Sequence, residues 1–163
     1  MSERILIPLD GSKVGETALH YVEEMVSKLV PEQTVEVILL QVLSPPTHRV
    51  KIAWEIIDVP YTKEEIVLAN QKAMDYLNKA GEGLRSKGVT VECVVKTAKR
   101  GIDSAEKIIK AEGEVNANLV AMSTHGRGGL SRWAFGSVTD KVLRGGKVPV
   151  LVVRAKRRKK VKL

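Results

Sequence analysis

Asn118-Leu119-Val120-Ala121-Met122-Ser123-Thr124-His125-Gly126-Arg127-Gly128-Gly129, with Gly136-Ser137-Val138-Thr139-Asp140 six residues further on, carries the clearest structural signal in this chain. The apolar run Asn118 to Met122 reads as a buried strand, and Ser137-Val138-Thr139-Asp140-Lys141-Val142-Leu143 reads as a helix that opens on a hydroxyl at the N-cap. A strand, a glycine-rich loop and a helix start together aim unpaired backbone N–H groups and a positive helix end at an anion. Glycine matters in such a loop because a side chain would hold a phosphate away from the backbone. Spelling excludes two familiar phosphate loops. No Gly-Lys-Ser or Gly-Lys-Thr occurs, so there is no Walker loop, and the G-x-G start at Gly126 and Gly128 continues to Ser131 where a dinucleotide fingerprint needs glycine.

Working outward, the chain alternates strand and helix patterns. Arg4 to Asp10 is an apolar run ending in Pro-Leu-Asp-Gly, a strand and a turn. Ala18, Leu19, Val22, Met25, Val26 and Leu29 recur at helical spacing, and Thr34 to Leu43 is a second strand stopped by Ser44-Pro45-Pro46. Thr47 to Pro60 has no clear period, with Trp54 and Ile56-Ile57 as apolar spots. Thr62-Lys63-Glu64-Glu65 is a capping box opening a helix to about Lys87-Gly88. Val89 to Lys96 is a third strand, and Asp103-Ser104-Ala105-Glu106 starts a helix to about Glu112-Gly113. Val148 to Val153 is the fifth and last strand. This order predicts an α/β domain: a five-stranded parallel sheet with helices on both faces. In such sheets ligands lie outside the carboxyl ends of the strands, where strand order reverses. Asp10 and Ser123 end the first and fourth strands and would face one crevice, with Asp10 suited to a ribose hydroxyl pair.

The 163 residues predict one domain, and 44% hydrophobic with 28% charged residues is ordinary for a globular one. Few aromatics leave the core to Val, Ile and Leu, as a parallel sheet buried on both faces requires. Arg154, Lys156, Arg157, Arg158, Lys159, Lys160 and Lys162 follow the last strand; without those seven, 20 basic residues face 19 acidic ones, so the formal +8 belongs to the tail. The expected division is a nucleotide-binding domain over 1–154 and a basic tail over 155–163. The tail has no interleaved aromatics, so nucleic acid is expected to bind it non-specifically or not at all. No apolar run reaches the ~18 residues of a membrane span, and no secretory pattern opens the chain, so a cytoplasmic location is expected. Cys93, the single cysteine, is expected to be a buried inert thiol. His20 and His48 stand apart from any Cys/His/Asp cluster, so no intrinsic metal site is expected.

The loop resembles that of the universal stress protein family, in its nucleotide-binding branch: G-x-x-G, nine residues, then G-[ST]. Gly126, the nine residues Arg127 to Phe135 and Gly136-Ser137 fit it, while Ser123 stands at the family's first glycine. Ile5-Leu6-Ile7-Pro8-Leu9-Asp10-Gly11-Ser12 resembles the family's opening strand, and Val148-Pro149-Val150-Leu151-Val152-Val153 its closing one. The resemblance implies a Rossmann-like fold of the adenine nucleotide alpha hydrolase type and a regulatory protein of the stress response that holds ATP, or AMP or ADP, in the crevice. It implies a nucleotide site of Pro8, Asp10, Val42, Met122, Ser123, His125, Gly126, Arg127, Gly136, Ser137 and Val138, with the backbone of Val42 against adenine. Mg²⁺ or Mn²⁺ would enter only with a triphosphate, held mainly by its oxygens. A carboxylate base and a phosphate-loop lysine are missing near the loop, so hydrolysis is expected to be slow or partner-dependent at most. The apolar last strand would lie at a sheet edge, and pairing with its copy predicts a homodimer.

Overall fold

The computed structural model describes residues 3–28, 34–44, 47–98, 104–124 and 136–155. In chain order these form β1 (Glu3–Leu9), α1 (Glu16–Val26), β2 (Val35–Leu43), β3 (Thr47–Ile52), β4 (Glu55–Pro60), α2 (Lys63–Ala80), α3 (Glu82–Ser86), β5 (Thr90–Thr97), α4 (Ser104–Glu114), β6 (Leu119–Thr124), α5 (Ser137–Gly145) and β7 (Val150–Arg154). The five-stranded sheet runs β5-β2-β1-β6-β7, every pairing parallel. Strand order reverses between β1 and β6, so the crevice expected from the sequence opens at the carboxyl ends of these two strands.

Strand alternation builds two cores. Ile5, Ile7, Leu9, Val37 and Leu39 point to the side that Leu19, Val22 and Leu77 cover from α1 and α2. Leu6, Ile38, Leu40, Val120 and Met122 point to the other side, where Ile108 of α4 and Val142 of α5 close over them. Burial on both faces is why these strands read as continuous apolar runs rather than as alternating ones.

Two features differ from the sequence reading. The helix expected to run from Thr62 to about Lys87 breaks at Gly81 into α2 and α3. A Cβ at Gly81 would lie 2.9 Å from Val91 Cγ1 and 3.2 Å from Leu39 Cδ1, so the helix can rest on the sheet there only without a side chain. The aperiodic segment after β2 is a regular antiparallel hairpin, β3 with β4, separate from the main sheet. Its residues are exposed on both faces, so burial left no pattern to read. The capping box is present as spelled. Glu65 N–H donates to Thr62 Oγ1 at 3.2 Å, and Thr62 N–H donates to Glu65 Oε2 at 2.8 Å.

Candidate functional site

At the carboxyl end of β1 the chain turns through Gly11, whose φ of +80° favours a residue without a Cβ. Asp10 Oδ1 accepts the Ser12 N–H at 2.9 Å and the Ser12 hydroxyl at 2.6 Å, and Ser12 Oγ in turn accepts the Gly15 N–H at 2.9 Å. A Cβ on Gly15 would fall 2.4 Å from Asp10 Oδ1, so the closeness of this turn depends on that glycine. Asp10 itself is exposed at the crevice.

Ser123 ties the neighbouring strand into the same turn. Its Oγ donates to Gly15 O at 2.8 Å and accepts the Ala18 N–H at 2.8 Å. Gly15, the N-cap of α1, has no side chain with which to bond those N–H groups. Ser123 therefore supplies from β6 the capping acceptor that α1 lacks locally. Because Ser123 lies within β6, with ordinary strand backbone, serine is tolerated where the family pattern has glycine. Its hydroxyl is engaged within the protein, so the anchoring role has a geometric basis that the ligand-facing role expected from the sequence does not.

Pro8 is half-buried on β1. Val42 and Val138 are half-buried and Met122 buried, all packed on the α4/α5 side of the sheet. Gly136 and Ser137 are exposed at the start of α5. Here the structure corrects the sequence reading: the N-cap is Gly136, not Ser137, and no side chain caps the helix. Gly136 has φ −56° and ψ 152°, off the helical path, while Ser137 is already the first helical residue, so its hydroxyl is one position too late to cap. The position of a Cβ on Gly136 has no atom of the described residues within 4 Å. Neither positive φ nor crowding by described residues therefore calls for glycine there. His125, Gly126 and Arg127 lie outside the described residues.

The site also has a floor that the sequence reading missed. Tyr76 of α2 donates its hydroxyl to Glu16 Oε1 at 3.0 Å, and burial, then Glu16, then the charge of Asp10 push the phenol well above its ordinary pKa. Gln41, at the end of β2 and paired in register with Leu9, has its Oε1 buried without a partner among the described residues. The signal available was Gln41 itself, a polar residue between Leu40 and Val42 in an apolar strand. Tyr76 carried none, since it falls on a helix face spelled for packing. Cys93, expected to be buried, is half-buried on β5, with Arg85 Nη2 3.5 Å from its sulfur.

With this geometry in view, comparison with known proteins assigns the class. The family model described as "Universal stress protein family" matches residues 1–154, and the chain belongs to that family. It is 28% identical over 155 residues to Universal stress protein MJ0531 of Methanocaldococcus jannaschii, covering 93% of this chain and 82% of that one. It is 26% identical over 156 residues to Universal stress protein YxiE of Bacillus subtilis, covering 94% of this chain and all of the other. Among solved structures, a universal stress protein family protein from Burkholderia pseudomallei superposes with a TM-score of 0.65 at 21% identity, covering 94% of this chain and 96% of that one. An Arabidopsis thaliana member of the family, solved with AMP bound, superposes with a TM-score of 0.60 at 15% identity, covering 94% and 92%. At these identities the structural matches establish the shared fold. No helix among the described residues is long and apolar enough to cross a membrane.

Proposed function

We propose that this chain is a regulatory nucleotide-binding protein that holds an adenine nucleotide, ATP or else ADP or AMP, in the crevice between β1 and β6. The observation that carries the reading is Gly136, an exposed glycine at the uncapped start of α5 with room around its missing side chain. Such a position suits the close approach of a phosphate to backbone N–H groups. Asp10 would take the ribose hydroxyls through Oδ2, since both bonds to Ser12 fall on Oδ1. Val42 and Pro8 would flank the base, Met122 and Val138 would line the α4/α5 side, and Ser137 would meet phosphate. His125, Gly126 and Arg127 complete the proposed loop by their family spelling. The AMP in the Arabidopsis relative and the cAMP in another universal stress protein structure support an adenine nucleotide.

A divalent cation belongs to this reading only as the companion of a triphosphate. The nucleotide domain is taken as 1–154, with 155–163 a solvated basic tail in the cytoplasm. β7 lies at the sheet edge, and a homodimer through it is part of the proposal. Val152→Lys should then halve the mass seen by light scattering. The primary experiment is to denature the purified protein and identify the released nucleotide by chromatography, then to titrate the emptied protein with ATP, ADP and AMP. Binding of any of them sustains the reading; no release and no binding would end it. Turnover should stay far below the ~1 s⁻¹ of ordinary enzymes.

A further inference from the structure

The hairpin between β2 and α2 takes no part in the nucleotide reading. Its pairing sorts side chains onto two faces: Val50, Ile52, Ile57 and Val59 share one, while Arg49, Lys51 and Asp58 share the other with Ile56. Both strands are exposed throughout, Ile52 to 58%, and Trp54 at the turn is 94% exposed. A two-stranded hairpin is marginal by itself. Here its base is fastened to α2, with His48 Nε2 2.7 Å from Glu65 Oε1 and the His48 ring 4.4 Å from that of Tyr61. Beyond that fastening the apolar face meets solvent. The turn also holds Ala53 at φ 55°, a left-handed conformation costing about 1 kcal/mol or more for a residue with a Cβ. A strained alanine that presents a bare tryptophan beside an apolar face describes a surface whose cover comes from another molecule.

We infer that this face and Trp54 pack against the same hairpin of a second copy of the chain. Charge selects the partner. Arg49 and Lys51 are balanced within the hairpin by Glu55 and Asp58, so this patch is neutral on a chain of formal charge +8. A nucleic acid or an acidic membrane surface gains nothing from a neutral patch. Two copies of one basic chain, which repel through their tails, meet here without that repulsion. The contact is isologous, each copy giving and receiving the same apolar face. Strands of six residues are about 20 Å long and two of them about 10 Å wide, so each copy offers roughly 200 Å² of face. Trp54 and the exposed Val67 and Leu68 on the first turns of α2 extend the patch. The total stays below the ~800 Å² per partner of a stable interface, so the contact is weak and concentration-dependent unless another reinforces it. It is independent of the nucleotide site and of the β7 edge.

The test makes Trp54 the only indole by Trp133→Phe, then follows its emission and the light-scattering mass together over a concentration series. The expected result is a blue shift and reduced acrylamide quenching in step with doubling of mass. Ile57→Lys should abolish both, and Trp54→Thr, which leaves the strands intact, should weaken association at least tenfold by mass alone. Val152→Lys should leave the blue shift in place, separating this contact from one at β7. Doubling of mass with unchanged Trp54 emission would overturn the inference, as would a blue shift at constant monomer mass. A shift that requires acidic lipid vesicles, or no association at millimolar concentration, would overturn it too.

Discussion

At the crevice, the exposed side chain of Asp10 is held by neighbours on three segments: Ser12 and Gly15 on the turn, and Ser123 reaching across from β6. In the β3–β4 hairpin, by contrast, apolar side chains that would ordinarily be buried lie in solvent, and the structure described is fastened to the body at His48. The crevice is rigid because the ends of two central strands and a helix N-terminus share one hydrogen-bond network, so moving any member breaks several bonds. The hairpin has its own ladder and little else. Ligand-holding geometry is placed where the sheet already supplies rigidity, and the adaptable surface is placed on an excursion from it.

Substitutions can break or sharpen that contrast. Gly136→Val should have the largest effect: a fall in nucleotide affinity of about 100-fold or more, about 2.7 kcal/mol. Calorimetric titration would measure it, and the melting temperature should hardly move, because the side chain enters open space. If affinity is unchanged, α5 is not where phosphate sits.

Ser123→Ala should come next, lowering stability by about 1–3 kcal/mol because Gly15 O and the Ala18 N–H lose a shared partner. Denaturant melts of this variant beside Ile57→Lys would test the contrast directly. The hairpin change should stay within about 0.5 kcal/mol in the monomer, as for an exposed position. Equal losses would mean that the hairpin is as integral to the fold as the crevice.

Thr62→Ala removes one half of the capping box and should cost about 1 kcal/mol in the same melts. The junction it supports should also be acid-sensitive. The Thr62 N–H and then His48 hold the Glu65 carboxyl below its ordinary value of 4.5. The stabilisation is therefore complete above that value and is lost as pH falls through the lower folded value. Circular dichroism between pH 6 and 3 should show α2 loosening in the native chain and a smaller change in Glu65→Gln. Smallest of all, Ala53→Gly should relieve the turn, offset by the freedom glycine adds to the unfolded chain, for a net gain of under about 1 kcal/mol. A loss would mean that the left-handed turn is not strained.

Much of this was legible in the residues. The strands β1, β2, β5 and β6 and the helix starts follow from apolar runs and from Thr62-Lys63-Glu64-Glu65, because burial on both sheet faces and the capping chemistry are local and leave a spelling. The crevice followed from the order of elements, which placed Asp10 and Ser123 at neighbouring strand ends. The hairpin did not, since a strand exposed on both sides leaves no period, and the break at Gly81 did not, since it answers to side chains on two strands remote in sequence. The shift of the N-cap from Ser137 to Gly136 was equally unreadable, because a hydroxyl beside a glycine at a helix start fits either position.

By itself, then, the order of residues determined the alternation of strands and helices, the parallel sheet and the family, because each rests on hydrophobic period and short-range backbone chemistry. Only the tertiary structure decided what Ser123 does, since its partners on α1 are brought to it by the parallel packing of β1 and β6. The same holds for Tyr76 and Gln41 beneath the crevice and for the apolar face of the hairpin. Which side chains meet across a crevice, and which are left bare, depends on elements far apart in the chain, and no local pattern encodes it.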